Sequence, residues 1–242
     1  MTENEQPKIR AVTFDFGQTL AELDHDFLQK RVHTFGAELD PLASRAATVS
    51  AWHAYGAAKS LGHARAWQAM ILEYLRAGGV RKIRADAADP DYAQKIAQLL
   101  WDAQPTHNLW RKPIVGMFEL VAELGARRVP VGIISNSEGH LAELVEELGH
   151  LALFAVVIDS GRVGVDKPNP RIFELAAEAL GVELPSIVHV GDAWEADVLG
   201  ARAVGAQAVW YAPTDDRALP EGVVACRNAD ELRQALNHFG VA

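Results

Sequence analysis

RAVTFDFGQTL, from Arg10 to Leu20, is the stretch that decides the fold prediction. The residues from Ile9 to Phe14 are mostly β-branched or aromatic, a composition that predicts a short buried strand. This strand ends on the carboxylate of Asp15. In an open parallel sheet, ligands bind in the crevice beyond the carboxyl ends of the strands. Asp15 is therefore a candidate nucleophile or metal ligand, although a simple role in capping a turn would also explain it.

The composition is that of an ordinary soluble globular protein, with 49% hydrophobic and 23% charged residues. A length of 242 residues suffices for one large domain or for a core domain with an insertion. The formal net charge is −9. Because nucleic-acid-binding proteins present basic surfaces, this balance argues against nucleic acid as the main partner. It is compatible with a local basic pocket for a small phosphate.

Cysteine usage and targeting signals indicate a cytoplasmic protein. Cys226 is the only cysteine, so the chain forms no internal disulfide and no cysteine metal cluster. The first seven residues are polar and acidic, unlike the start of a signal peptide. The longest apolar run, residues 151–158, is too short to span a bilayer. We expect no membrane partner, and either a monomer or a homodimer.

Residues 21–110 are rich in helix formers and show almost no strand signal. Four amphipathic helices are predicted in this region, over residues 26–39, 43–59, 63–77 and 90–103. The apolar stripe of the third helix is more typical of a packed core than of a ligand site. We therefore predict an all-helical cap domain at 21–110, inserted into the rest of the chain.

From Pro113 onward, helix and strand signals alternate, which is the pattern of a parallel sheet covered by helices. Strands are predicted at 129–134, 154–158, 187–190 and 206–211. Asn169 and Pro170 predict a helix that begins with an asparagine cap and ends at Gly181. The predicted fold is an α/β Rossmann-like parallel sheet core, formed by residues 1–20 and 111–242, with the helical cap as a second domain.

Polar side chains stand at the ends of successive predicted strands or in the loops that follow them. These candidate site residues are Asp15 with Thr19, Ser135 with Asn136, Lys167, and Asp192 with Asp197. Each also has a simpler interpretation, because Ser135 or Asp192 could cap a helix, and Lys167 or Asp197 could be solvated. Their joint occurrence along one predicted parallel sheet favours a shared site.

The segments that carry these residues resemble the four motifs of the haloacid dehalogenase-like (HAD) hydrolase superfamily. The matching stretches are FDFGQTL at 14–20, IISN at 133–136, KPNPRIF at 167–173 and VGDAWEAD at 190–197. The third and fourth motifs are the more specific ones. The resemblance extends from Ile9 to about Tyr211, and it implies a Rossmann-like core with a helical cap between the first two motifs.

The resemblance implies a phosphatase mechanism. Asp15 would attack the phosphorus of a small phosphorylated substrate and form an aspartyl-phosphate, which splits one displacement into two easier ones. Lys167 and a bound Mg²⁺ would offset the repulsion between nucleophile and phosphate. The implied metal ligands are the carboxylates of Asp15 and Asp192 and the backbone carbonyl of Gly17. Asp197 would be a further ligand or would orient Lys167.

Three more residues are expected to contact the substrate. Ser135 and the backbone around Asn136 would hydrogen-bond the phosphoryl oxygens, and Thr19 would be another substrate contact. Hydroxyl and amide donors suit this task, because hydrogen bonds to an anionic oxygen are short and strong.

Position 17 departs from the family pattern. Phosphatases of this family usually carry a second Asp two residues after the nucleophile, which protonates the leaving group. Gly17 occupies that position here. Its backbone carbonyl can still bind the metal, but it has no side chain that could protonate the leaving group. Gln18, where the family often has glycine, is not an acid. Glu22, Asp24 and His25 are candidate replacements, or else solvated residues at the hinge of the cap.

Three functions are consistent with this departure. The first is a Mg²⁺-dependent phosphatase whose acid comes from elsewhere or is not needed. The second is a dehalogenating member, although those typically have uncharged residues at the position of Asp192, or a phosphonate-cleaving member with a cap lysine. Lys30 and Lys59 are candidates for that lysine, but neither has an apolar setting that would lower its pKa. The third is a binding protein without turnover, against which the retained nucleophile argues. The phosphatase is favoured.

Overall fold

The computed structural model describes residues 8–61, 66–83, 89–212, 219–220 and 222–241, with the backbone alone at 59 and 60. The chain divides into two compact units. The first, the sheet unit, holds the chain up to Leu23 and from Trp110 onward. The second, the helical unit, holds Asp24–Leu109.

The described residues form ten strands and ten α-helices. In chain order, the strands are β1 (Ala11–Phe14), β2 (Ala21–Leu23), β3 (Ala37–Glu38), β4 (Arg81–Lys82), β5 (Trp110–Pro113), β6 (Val131–Ser135), β7 (Val156–Asp159), β8 (Ile187–Gly191), β9 (Gln207–Tyr211) and β10 (Val224–Cys226). The helices are α1 (His25–Thr34), α2 (Pro41–Ser60), α3 (Ala66–Ala77), α4 (Tyr92–Ala103), α5 (Met117–Ala126), α6 (Leu141–Glu147), α7 (Ser160–Val163), α8 (Pro170–Leu180), α9 (Gly200–Ala203) and α10 (Ala229–His238).

Six strands form the main sheet of the sheet unit, in the order β10-β9-β8-β1-β6-β7. All neighbours in this sheet pair in parallel. The prediction of an α/β fold with a parallel sheet is thereby confirmed. Because β1 lies between β6 and β8, the ends of these three strands meet at the centre of one sheet edge, which is the edge where ligands bind in such folds.

Two apolar layers cover the two faces of the main sheet. One layer contains Phe14 and Val190 with the buried sides of α5 and α10. The other contains Ala11 and Ile187 with Phe173 of α8. Burial of each large apolar side chain stabilises the fold by roughly 1.5–3 kcal/mol. The two layers therefore hold the strand ends in fixed positions.

The helical unit is built from α1 to α4, as expected for a region rich in helix formers. The apolar side chains predicted to line the third helix are largely buried, with Met70, Ile71, Tyr74 and Leu75 at 1% exposure or less. Helix α1 ends at Thr34 rather than at the predicted residue 39, because the chain turns through Gly36 at a positive φ. The predicted start of the third helix at His63 lies outside the described residues.

Two short antiparallel ladders were not expected from the sequence. One pairs β3 with β4 in the helical unit, so this unit is helical with one two-residue ladder rather than wholly helical. The other pairs β2 with β5 and extends the sheet unit to Leu23. The predicted boundary at residue 20 placed β2 in the helical insertion, because three residues are too few to show a strand period.

Strand β10, helix α7 and a π-helical turn at Trp194–Leu199 were also missed. The segment between β8 and β9 is divided between this π-helical turn and α9. A search of the described helices found none long and apolar enough to cross a membrane.

Candidate active site

The predicted site residues lie around the central edge of the main sheet. Asp15 directly follows β1, Ser135 ends β6, and Asp192 directly follows β8. Lys167 comes from the loop before α8. Asp15 and Lys167 are both buried, at 8% and 5% exposure. Charged side chains are rarely buried unless they are paired, and these two are paired with each other.

Lys167 lies at the centre of the site. Its Nζ donates to Asp15 Oδ1 at 2.7 Å and to the carbonyl oxygen of Ile134 at 2.7 Å. The same ammonium forms an ion pair with Asp197 Oδ1 at 2.6 Å. These three acceptors match the three donors of an ammonium group. Although burial alone disfavours the charged form, the carboxylates of Asp15 and Asp197 raise the pKa of Lys167 above its ordinary value.

The loop that carries Lys167 is held by Asn136. The Asn136 side chain donates to the backbone carbonyl of Lys167 at 3.0 Å and accepts from the backbone N–H of the same residue at 2.7 Å. Asn169 then caps α8 by accepting from the N–H of Arg171, and Pro170 is the first helical residue. The second and third motifs are therefore joined directly. The expected role of the Asn136 backbone at phosphoryl oxygens stays a prediction.

Asp197 is fully buried and accepts hydrogen bonds at both carboxylate oxygens. Its Oδ2 accepts from the backbone N–H of Ala193 at 2.8 Å, and its Oδ1 contacts His189 Nε2 at 3.3 Å in addition to Lys167. Burial alone would raise the pKa of Asp197, but the Lys167 ammonium and the hydrogen bond from His189 hold that pKa well below its usual range. A carboxylate with these donors is suited to orient Lys167.

The Asp197 side chain can pack against the end of β8 only because residue 191 is a glycine. A Cβ atom at position 191 would lie 2.3 Å from Asp197 Cγ and Oδ2, closer than any van der Waals contact. Asp197 itself lies in the π-helical turn, an element that frequently occurs at functional sites. The spacing of the fourth motif therefore brings Asp197 back over the end of β8.

Three carboxylates form a cluster at this edge. Asp15, Asp192 and Asp197 each offer an oxygen within 4.8 Å of the others. Asp192 keeps some exposure, but protein surrounds its carboxyl group, and this burial together with the negative charges of Asp15 and Asp197 raises its pKa well above the ordinary value. Burial likewise raises the pKa of Asp15, although Lys167 opposes the shift. The cluster would gain stability from a further positive charge.

The expected phosphoryl and substrate contacts differ in their surroundings. The Ser135 hydroxyl is buried beside Asp15 and lowers the pKa of that carboxyl by hydrogen bonding. The Thr19 hydroxyl is fully buried, and it has no hydrogen-bond partner among the described residues. A buried hydroxyl without a partner is energetically costly, so a ligand contact would explain it.

Positions 17 and 18 differ in what the surrounding structure requires of them. A Cβ at Gly17 would lie 3.4 Å from Trp110 Cδ1, an ordinary contact distance, so space alone does not demand glycine there. Gln18 has a φ of 59°, a conformation that glycine adopts without steric cost. With its amide oriented to suit its neighbours, Gln18 Oε1 accepts from Trp110 Nε1 at 3.1 Å and from Leu23 N at 3.3 Å. The positive φ at position 18 explains why the family often has glycine there.

The three candidate replacements for the missing acid all have structural contacts. Glu22 forms an ion pair with Lys112 at 2.6 Å, across the β2–β5 ladder. Asp24 caps α1 by accepting from the N–H of Phe27 at 2.8 Å. His25 Nδ1 lies 3.2 Å from the hydroxyl of Tyr74. Structural roles thus suffice to explain their presence in the sequence.

Of the two candidate cap lysines, Lys30 is exposed on α1. Its exposure gives it no apolar pocket of the kind that a Schiff-base lysine occupies. The side chain of Lys59 lies outside the described residues.

Two features of the sheet unit were not found by sequence reasoning. His189 and Thr13 are fully or almost fully buried and bond to each other, with Thr13 Oγ1 2.9 Å from His189 Nδ1. Glu138 follows the second motif, and burial together with the negative charge of Asp159 raises its pKa to about 7. Neither feature could be predicted from the sequence alone, because both arise from contacts between distant segments.

Residues 9–205 match the family model of haloacid dehalogenase-like hydrolases, and the fold and the four joined motifs agree with that match. The chain belongs to this family of hydrolases, as the sequence resemblance predicted.

Individual relatives agree with this assignment. Haloacid dehalogenase-like hydrolase domain-containing protein 3 of Homo sapiens is 28% identical over 208 residues, which are 82% of this chain and 80% of the relative. A phosphoserine phosphatase of Thermus thermophilus is 32% identical over 137 residues, 54% of this chain and 53% of the relative. The crystal structure of a HAD phosphatase from Thermococcus onnurineus superposes with a TM-score of 0.58 at 24% identity, covering 94% of this chain and 98% of the other.

Proposed function

We propose that the protein is a Mg²⁺-dependent phosphatase that acts on a small phosphorylated metabolite through an aspartyl-phosphate at Asp15. The observation that carries this proposal is the bridge from Lys167 Nζ to Asp15 at 2.7 Å and to Asp197 at 2.6 Å. A buried carboxylate beside a fixed ammonium can meet an anionic phosphate, because the ammonium offsets the repulsion.

The charges of the site fit a divalent cation. Three carboxylates face the single ammonium of Lys167, so the cluster carries a charge of −2 when all four groups are ionised. Oxygen donors at this density are what Mg²⁺ prefers. Asp15, Asp192 and the carbonyl of Gly17 would hold the ion, and Asp197, whose oxygens already accept from Lys167, His189 and Ala193, would orient Lys167. A bound Mg²⁺ would supply positive charge at the transferring phosphoryl group.

The chain's own groups account for the bond changes. In the first step an oxygen of Asp15 bonds to phosphorus, and the leaving-group oxygen departs with the electron pair of its bond to phosphorus. In the second step water attacks the phosphorus of the aspartyl-phosphate, which releases inorganic phosphate and restores the carboxylate. Lys167 and Ser135 would hold the phosphoryl oxygens in both steps.

The alternatives find less support. Dehalogenating members typically have uncharged residues at the position of Asp192, whereas here Asp192 offers a carboxylate oxygen within 4.8 Å of Asp15. The relative from Thermus thermophilus is named a phosphoserine phosphatase, which supports phosphate esters as the substrate class. We propose that the helical unit acts as the cap that selects the substrate. We also propose that the protein is cytoplasmic and is either a monomer or a homodimer.

The leaving group tests the missing acid at Gly17. Without a general acid the leaving oxygen departs as an anion, so we expect aryl phosphates to react well and alkyl phosphates poorly. Gly17→Asp should raise the alkyl rate more than the aryl rate, because a positioned acid contributes about 10²–10⁴-fold. A Cβ atom is tolerated at position 17, since it would lie 3.4 Å from Trp110 Cδ1. An equal rate on both substrate types in the wild type, when chemistry limits the rate, would show that another acid is present.

A panel of metabolite phosphates, assayed for phosphate release with and without Mg²⁺, tests the proposed function. We expect turnover only in Mg²⁺. Halide release from haloacids without metal would establish the dehalogenase instead. Inertness on the whole panel, while Mg²⁺ binding and folding are intact, would favour a binding protein.

A further inference from the structure

We propose that His189, supported by Thr13, is a positioning residue that fixes Asp197 and through it Lys167. This inference rests on the proposed phosphatase function of the site. It assigns a role to two buried side chains that the mechanism above does not use.

The sheet register places this pair directly beneath the site. Thr13 of β1 and His189 of β8 are paired neighbours in the parallel sheet. Because side chains alternate between the two faces, Thr13 shares a face with Asp15, and His189 shares a face with Gly191. Asp197 packs against Gly191 and contacts His189, which is two residues earlier in β8. The Thr13–His189 pair is therefore one step along the strands from the nucleophile.

Packing alone does not call for this pair. The surrounding layer is apolar and includes Ala11, Ile187 and Phe173. The rings of Phe173 and His189 pack edge to face, with their centroids 5.3 Å apart. Two apolar side chains would suit this layer, since buried polar groups are costly unless their hydrogen bonds are made. Both ring nitrogens of His189 have partners, so these two bonds offset the cost of burying the polar ring.

The partners define the protonation of the ring. The carboxylate of Asp197 can only accept, so His189 Nε2 carries the proton and donates to Asp197 Oδ1 at 3.3 Å. Nδ1 of the neutral ring then accepts from the Thr13 hydroxyl at 2.9 Å.

A neutral donor is what Asp197 needs at this point. It fixes the carboxylate without adding a cation that would compete with Lys167 for Asp197. Asp197 Oδ1 contacts both His189 Nε2 at 3.3 Å and Lys167 Nζ at 2.6 Å, so His189 fixes the carboxylate that holds the ammonium beside Asp15. Partners that orient a functional group in this way are typically worth about 10–100-fold in activity.

Three variants at position 189 separate positioning from packing. The amide nitrogen of His189→Gln can reach the place of Nε2 and donate to Asp197, whereas the shorter side chain of His189→Asn reaches only the place of Nδ1. We expect His189→Asn and His189→Leu to lower kcat about 10–100-fold with little change in KM, and His189→Gln to recover most of that loss. His150→Leu is the matched control, since His150 also packs against an aromatic ring, Phe118. Equal kcat values for the Gln and Asn variants, or wild-type kcat in the Leu variant, would overturn the proposal.

A second measurement does not require turnover. Nitrogen NMR of histidine side chains in the wild-type protein should show His189 as the neutral ring protonated at Nε2, and Thr13→Val should perturb its Nδ1 signal. A proton on Nδ1, or an imidazolium at neutral pH, would overturn the inference even if the enzyme is an active phosphatase. The expected tautomer in a protein without phosphatase activity would instead leave the contact established and refute the proposed function.

Discussion

Carboxylates in the two units differ in what they contribute to the protein. In the sheet unit, burial raises the pKa of Asp15 and of Asp192. In the helical unit, Asp40 accepts from the N–H groups of Ala43 and Leu42 at the start of α2, and these bonds lower its pKa. Asp89 likewise has a lowered pKa, because Lys95 hydrogen-bonds it.

The difference separates carboxylates that stabilise the fold from carboxylates that are kept at an energetic cost. A lowered pKa means that the folded state favours the ionised form, and a raised pKa means the reverse. Clustered carboxylates with raised pKa values at a sheet edge are typical of functional sites. Substitutions at Asp15 or Asp192 and substitutions at Asp40 or Asp89 should therefore have opposite consequences for activity and stability.

The same substitution in both units gives the largest expected contrast. Asp15→Asn should lower turnover by more than about a thousandfold, because an amide is not a nucleophile. Asp40→Asn is the matched control, since Asn caps helices as well as Asp does, and it should leave activity unchanged. Phosphate release and thermal unfolding of both variants measure these effects. Substantial activity in Asp15→Asn would remove Asp15 from the mechanism.

Gly191→Ala should be the next most damaging change. Its Cβ would overlap Asp197 Cγ at 2.3 Å, so Asp197 must move away from Lys167. A displacement of about 1 Å in a site can cost about 10²-fold in rate, and overpacking costs about 1–3 kcal/mol of stability. Gly125→Ala in α5, where nothing lies within 4 Å of the added Cβ, should instead stabilise the protein by up to about 1 kcal/mol. Equal kinetics in the two variants would contradict the role of the close approach.

Asp192→Ala should raise the Mg²⁺ concentration needed for activity, because an oxygen donor is lost from the cluster. Glu195→Ala is the control, since Glu195 is exposed and only three residues away. Metal titrations by activity and by calorimetry would measure the change. Full wild-type activity in the presence of a chelator would remove the metal from the mechanism.

Glu138 should produce a smaller effect, on stability. Its pKa rises from 4.5 to about 7 on folding, chiefly through burial. A carboxyl with a raised pKa stabilises the protein when protonated, so this stability is lost as pH rises from about 4.5 to about 7. Glu138→Gln should be more stable than the wild type at pH 8 by about 1–3 kcal/mol, and the difference should vanish near pH 4. Denaturant unfolding at both pH values measures this, and a constant difference would contradict the shift.

The strand ends of the site could be predicted because a short local sequence pattern indicates each of them. The stretch from Ile9 to Phe14 is mostly β-branched or aromatic and is followed by Asp15. Asn169 and Pro170 predict the start of α8, and the structure shows Asn169 as its cap. These local patterns, with the four motif spacings, were enough to select the fold and the residues that meet at the sheet edge. The charged cluster follows from them, because parallel strands end on the same side.

The contacts that orient the cluster could not be predicted, because they join segments distant in sequence. Thr13 and His189 are 176 positions apart, and only the strand register pairs them. Asn136 reaches the Lys167 backbone across 31 positions, a contact that no periodicity encodes. Strand β10 has three residues and forms by pairing with β9, so its strand propensity alone was too weak to predict it.

Trapping of the covalent intermediate tests the central proposal most directly. The wild type would be quenched with borohydride during turnover of an aryl phosphate in Mg²⁺, and its peptides analysed by mass spectrometry. Reduction of an aspartyl-phosphate gives homoserine, which we expect at position 15 in the wild type and not in Asp15→Asn. Steady phosphate release with unmodified Asp15, or homoserine at another aspartate, would contradict the assignment of Asp15 as the nucleophile.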